Sequence, residues 1–185
     1  MVIGRVTPLV TERLLLRELR VGDAQAVASG AGDRRVARQL IAVPSPYPVA
    51  LARRWIASRV DWWGAGRGLT LAITRHARPE LLLGTVSLRR FARDRRAELG
   101  YWIIASEWGQ GITTEAASAV VDFGFEELGL ARIYAQVFAS NGPSARVLDK
   151  LGMVHEGIKR QHVRKGRTLV DVMIYGLLRD EWARR

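Results

Sequence analysis

Ser106–Val120 reads SEWGQGITTEAASAV. Gly109 and Gly111 stand between RRAELGYWII (Arg95–Ile104), rich in β-branched and aromatic residues, and an alanine-rich run. The first pattern predicts a strand. In the second the apolar period changes to about 3.6 residues, which predicts a helix from about Thr113. Ala117, Val120, Val121, Gly124 and Leu128 fall on its apolar stripe, and Gly129 follows as a C′ glycine. A glycine turn at this junction has two readings. It is a tight connection with Thr113 or Thr114 as the helix N-cap, or it is a backbone cradle where free N–H groups and the helix dipole meet phosphate. Glycine at 109 and 111 lets a ligand approach the main chain without a Cβ in the way. No Gly-Lys-Ser/Thr follows, and the glycine spacing is not that of a dinucleotide fingerprint.

Upstream, TERLLLREL (Thr11–Leu19) reads as a strand, and Asp23 is placed to cap an alanine-rich helix. Three prolines within Pro44–Pro48 enforce an extended loop before a helix over about Val49–Trp63. Leu69–Thr74 and Leu82–Arg89 read as strands turning around Ala77–Pro79. Downstream, ARIYAQV is a strand and NGPSARVLDKLG a short helix, with Pro143 in its first turn and Gly152 past its end. VHEGIKRQHV and TLVDVMIYGLL face each other across RKGR as a hairpin. The order is strand, helices, a three-strand meander, helix, strand, helix, hairpin. This is one α+β (or α/β) domain with a mixed sheet, expected over residues 8–185 after a short extension at 1–7.

The 185 residues suffice for one well-buried core. No run of apolar residues is long enough to span a membrane, and the N-terminus lacks a signal peptide's apolar core and cleavage site. Cytosol is therefore the expected compartment. The absence of cysteine removes disulfides and a thiolate nucleophile, and three scattered histidines argue against a metal site. The net charge of +11 invites a nucleic-acid reading. Only three of the basic residues are lysines, and the arginines are dispersed among acidic residues. That distribution disfavours specific nucleic-acid binding and suits a polyanionic cofactor or acidic partner.

Glu98–Gly157, from ELGYWIIASEWGQG to NGPSARVLDKLGMVHEG, resembles the central block of the GNAT superfamily of N-acetyltransferases. It is most similar to the RimJ/RimL type, which acetylates N-terminal α-amino groups of ribosomal proteins. TERLLLREL and DVMIYGLLRDEW extend the similarity over nearly the whole chain. The resemblance implies a mostly antiparallel central sheet, splayed at an acetyl-CoA site and flanked by helices. It also implies direct transfer of the acetyl group from acetyl-CoA to a primary amine, either a peptide N-terminus or a small molecule. In the family, the loop matching Trp108, Gly109, Gln110, Gly111, Ile112, Thr113 and Thr114 carries the pyrophosphate. Gly111 fits the usual Gln/Arg-x-x-Gly-x-Gly/Ala pattern, whereas Trp108 and Thr113 depart from it. Backbone N–H groups of Trp102, Ile103 and Ile104 would bind pantetheine as an added strand does, and one would face the thioester oxygen.

The same resemblance makes Glu98 the general base. Its alternatives are a strand carboxylate paired with Arg95 or Arg96, or one that only binds substrate. Asn141 would bind the pantetheine amide and Ser144 would protonate the departing thiolate; both also suit plain helix capping. Arg146 and Lys150 either reach the phosphates or adenine, or are solvated helix charges. Asp171, unfavourable in mid-strand unless partnered, binds the substrate amine or pairs with Arg164 or Arg167. His155 and His162 read as exposed hairpin residues. The hairpin glutamate of some family members has no counterpart in KRQHVRKG. Acidic clusters are few, which tilts the acceptor away from polycations. A non-catalytic acyl-CoA-binding module and a basic RNA-associated protein are the competing classes, and homodimer formation is left open.

Overall fold

The computed structural model describes residues 7–91 and 94–184, so the extension expected at 1–7 lies outside the described residues except for Thr7. The run TERLLLREL opens with a turn at Thr11–Arg13, so its strand is shorter than expected, β2 (Leu14–Glu18), and it pairs antiparallel with β1 (Leu9–Val10) just before the run. Then follow α1 (Ala24–Gly32), α2 (Arg34–Ala37), α3 (Val49–Gly64), β3 (Gly68–Arg75), β4 (Gly84–Phe91) and β5 (Arg96–Ile103). The chain continues through α4 (Ile112–Glu126), β6 (Arg132–Phe138), α5 (Gly142–Lys150), β7 (Val154–Lys165), β8 (Thr168–Leu178) and α6 (Arg179–Trp182). The strands form one eight-stranded sheet in the order β1-β2-β3-β4-β5-β6-β8-β7. Only β5 and β6 run parallel, because α4 is the crossover between them.

Strand alternation distributes the core over both faces of the sheet. On one face Leu14, Leu16, Leu71, Val86, Leu88, Leu99 and Ile133 pack against Ile112, Ala116, Val120, Val121 and Phe125 of α4 and Leu148 of α5. On the other, Ala72 meets Val27 and Ala28 of α1 and Ala52 and Ile56 of α3, with Trp102 against them. Gly30 of α1 comes so near β5 that a Cβ there would lie 2.8 Å from the Ile104 side chain and 2.9 Å from the Trp102 ring.

Two expectations about aspartates need correction. Asp23 sits at the N-cap position of α1, but its side chain caps no amide of that helix. It is buried in a two-pronged ion pair with Arg17, both contacts at 2.8 Å, and also accepts from the Arg20 N–H. Arg17 donates onward to the Pro79 and Glu18 carbonyls, so one buried pair joins β2, α1 and the β3–β4 turn. Asp171 pairs with neither Arg164 nor Arg167. A register shift in the β7–β8 ladder between Lys159 and Val163 turns the Gln161 N–H inward, and Asp171 accepts it at 2.7 Å. That backbone bond satisfies the mid-strand carboxylate. His155 and His162 are exposed, and the His155 ring packs on Tyr175.

Candidate active site

β5 and β6 are paired only from Arg96↔Arg132 to Leu99↔Ala135. Beyond Leu99, β5 stays bound to β4, while β6 stays bound to β8 as far as Phe138. The two strands therefore diverge and open a cavity of about 750 Å³. Ile104 donates its N–H to the Leu83 carbonyl, so the even-numbered residues of β5 face β4. Alternation leaves the N–H groups of Tyr101 and Ile103 to face the gap. This corrects the expectation for Trp102 and Ile104, whose amides belong to the β4 side. Ile104 also lies outside the cavity lining, its side chain against Gly30.

At the end of the gap, α4 follows Gly111, its N-cap residue, whose φ of +76° places it in the left-handed region. No side chain caps this helix, so neither Thr113 nor Thr114 is the N-cap. The first-turn N–H groups of Ile112, Thr113 and Thr114 have no partner inside the helix. Gly109, with φ of +79°, has nothing within 4 Å of where a Cβ would stand. The loop is held from behind. Arg13 binds the Gln110 carbonyl at 3.1 Å and the Glu115 carboxylate at 2.6 Å, and Arg75 binds Glu107 at 2.8 Å. Burial by itself would raise the Glu115 carboxyl, but hydrogen bonds from Thr11 and Arg13 outweigh it and hold the group below its ordinary value. The Trp108 indole donates to the Ile103 carbonyl at 3.1 Å and ties the loop to β5. Gln110 does not line the cavity; its side chain is engaged by Arg75 and the Ser106 carbonyl.

Glu98 projects from the opposite face of β5 to Tyr101. One carboxylate oxygen takes Arg89 of β4 at 2.5 Å and the other takes the Gln136 amide of β6 at 3.1 Å. The expected partners do other work: Arg95 binds the Gly129 carbonyl and Arg96 pairs with Asp94. The Glu98 side chain is 19% exposed while that of Arg89 is 50% exposed, so the carboxylate sits inside and its partner at the mouth.

Across the gap, α5 starts with Asn141 as N-cap, its amide oxygen accepting the Ser144 N–H at 3.2 Å. The cap leaves the two amide N–H donors of Asn141 uncommitted. Ser144 Oγ lies 2.9 Å from the Tyr101 hydroxyl, which also lies 3.2 Å from the Ser144 carbonyl. Burial pushes the Tyr101 phenol up to about 12, against a smaller lowering by the Ser144 hydrogen bond. It remains a neutral O–H at every physiological pH. Among the described residues, no group of three or more His, Asp or Glu side chains converges to hold a metal ion.

Residues 13–154 match the acetyltransferase (GNAT) domain. The chain belongs to the GNAT acetyltransferases. A Bacillus subtilis protein named as the uncharacterised N-acetyltransferase YoaA is 34% identical over 172 residues, 92% of this chain and 96% of that protein. The crystal structure of RimL, a ribosomal L7/L12 alpha-N-protein acetyltransferase in complex with coenzyme A, superposes with a TM-score of 0.84 at 18% identity, covering 95% of this chain and 99% of that one. RimJ of Mycobacterium smegmatis, with CoA-disulfide, gives 0.82 at 23% identity over 97% and 89% of the two chains.

In this GNAT domain the diverging strands bring together residues that are far apart in sequence. Glu98, Trp102, Ile103, Trp108, Gly109, Gly111, Ile112, Thr113, Thr114, Asn141, Ser144, Arg146 and Lys150 all line the one cavity. Sequence reasoning missed Tyr101, Arg89, Gln136, Arg59 and Trp62, which line it too. For Gln136 a signal existed: past Arg132 it is the one polar side chain besides Tyr134 in the strand ARIYAQV. The other four show themselves only through cross-strand register and helix packing.

Proposed function

We propose that this GNAT chain transfers the acetyl group of acetyl-CoA to a primary amine while both substrates are bound. The observation that carries this reading is the divergence of β5 from β6 with the uncapped N-terminus of α4 at its end. The chemistry of that end fits a pyrophosphate: unpaired amides, a positive helix end, and two positive-φ glycines that present bare backbone. Gly109, Gly111, Ile112, Thr113 and Thr114 would hold it, and Arg146 and Lys150 at the rim suit further phosphate charge. The gap-facing N–H groups of Tyr101 and Ile103, together with the Asn141 amide, are donors for the pantetheine arm.

Acetyl-CoA supplies the acetyl group as an activated thioester. An amine attacks only after losing a proton, and Glu98 is the carboxylate within the cavity placed to accept it. Arg89 and Gln136 fix both its oxygens, so the proton arrives at a defined position. Ser144 Oγ gives a proton to the departing sulfur, and the Tyr101 phenol holds that hydroxyl in place. RimL acts on a protein α-amino group; by extension a peptide N-terminus or a small amine is the acceptor here. The test is a panel of amines with acetyl-CoA, read by release of free thiol. Thiol release that depends on the amine supports the reading. Tight coenzyme A binding with no amine-dependent release across the panel makes the chain a binding module instead.

A further inference from the structure

The acceptor side of the cavity is unusual in its charge. Arg38, beyond α2, Arg59 and Trp62 of α3, and Arg89 of β4, which pairs with Glu98, all line this side of the cavity. Among the described acidic residues only Glu98 and Glu107 line the cavity, and Glu107 sits at the glycine loop, paired with Arg75. Away from that loop, the three arginines thus share the cavity with a single carboxylate, Glu98, and it already neutralises Arg89.

Arg59 is one of the charges left over. Its guanidinium carbon stacks 3.4 Å from the centroid of the Trp62 ring, and its side chain donates only to Ser58 Oγ, at 3.1 Å. No carboxylate pairs with it among the described residues. Burial first, and then the neighbouring Arg89 charge, hold its guanidinium below the ordinary value, with the Tyr47 phenol opposing them. With the one nearby carboxylate committed to Arg89, the Arg59 guanidinium stays close to a like charge and would be stabilised by a second anion. Arg89 cannot swing away, because Glu98 and the Tyr134 hydroxyl both hold it. Stacking on Trp62 likewise fixes the plane of Arg59. A rigid planar fork is the geometry that binds a carboxylate through two parallel hydrogen bonds.

Resting on the amine-acetylating reading above, we infer that the acceptor is a primary amine that also carries a carboxylate, and that Arg59, beside Arg89, is the subsite for that carboxylate. Glu98 then takes the amine end and Arg59 the acid end of the same small unit. A polycation lacking an acid group finds three arginines at the entrance and is turned away. The carboxylate has two sources: the α-carboxylate of a free amino acid, or an acidic side chain at a peptide's N-terminus.

Matched pairs test this. Phenylalanine against phenylalaninamide is one arm; amidated Asp-Ala-Ala against amidated Asn-Ala-Ala is the other. Each is assayed with acetyl-CoA by thiol release, and its binding to the coenzyme A-loaded protein is measured by calorimetry. In one arm the acid member should be favoured over its amide by roughly tenfold to a hundredfold in kcat/KM, mostly through KM, and in binding by a similar factor. The arm that shows it identifies the source. Arg59→Gln should bring that ratio near 1, with Arg59→Lys restoring part of it, both at a melting temperature near the parent's. Equal use and equal binding of acid and amide in both arms overturns the inference, as does a ratio that survives Arg59→Gln. Discrimination in binding without any turnover would overturn the enzymatic reading and leave the carboxylate subsite standing.

Discussion

The Tyr101 hydroxyl stands 2.9 Å from Ser144 Oγ, joining a strand to the first turn of a helix 43 residues later. Both residues line the cavity, so the phenol orients the hydroxyl that is assigned to protonate the leaving sulfur. Tyr101→Phe should lower kcat by about tenfold with coenzyme A affinity little changed, and Ser144→Ala should cost at least as much. If the two act as one unit, the double variant is no slower than Ser144→Ala alone. Additive losses in that cycle would separate Tyr101 from proton donation. Because the phenol is raised to about 12, the pH–rate profile below pH 10 should keep its shape in Tyr101→Phe.

Replacing Glu98 with Gln keeps the size and hydrogen-bonding shape but removes the proton acceptor. Turnover should fall by roughly 10²–10⁴. The deficit should narrow as pH rises and more of the amine arrives already deprotonated. A turnover rate equal to the parent's across neutral pH would assign proton removal to solvent.

Gly111→Val places a branched side chain at a φ of +76°, with its Cβ 3.4 Å from Arg13 Nη2. Left-handed strain should cost about 1–2 kcal/mol of stability. The larger effect should be on the ligand. Coenzyme A should raise the parent's melting temperature, because a ligand of the native state stabilises it, and the variant should lose that increment. An undiminished shift would remove the glycine loop from the phosphate site.

Asp23→Ala strands Arg17, which is 4% exposed, without its anion. Removal of one partner from such a buried pair costs about 3–5 kcal/mol. Urea unfolding should show a lower midpoint at unchanged slope. A change below about 1 kcal/mol would mean that the Pro79 and Glu18 carbonyls suffice for the guanidinium.

The glycine turn, the strand before it and the Asn141 cap were legible in the sequence because each is set within a few residues. Gly111 needs only its own φ, and Asn141 only its reach to Ser144. Glu98 was visible as a strand carboxylate, but its partner was misjudged. Sequence proximity suggested Arg95 and Arg96, whereas the β4–β5 register sets Arg89 directly opposite. Tyr101 passed as one more aromatic strand residue, since nothing local ties it to Ser144. Asp171 was misread for a related reason: the irregular ladder near Gln161 offers it a backbone amide that no charge pattern announces. Arg59 and Trp62 fall within the expected helix over Val49–Trp63, but nothing local says that this helix lines the cavity.

Glu98 and Tyr101 leave β5 on opposite faces, yet both border the same opening. The cavity thus reaches both faces of the sheet, lined by α4 and α5 on one side and by α2, the chain just beyond it and α3 on the other. Under the function proposed above, donor and acceptor would come in from different faces, and neither would have to back out to admit the other. A through-passage of this kind needs no side chain to carry the acetyl group between two visits, and the chain has no cysteine to serve as such a carrier. Its traffic should appear as intersecting, not parallel, lines when rate is measured against both substrates.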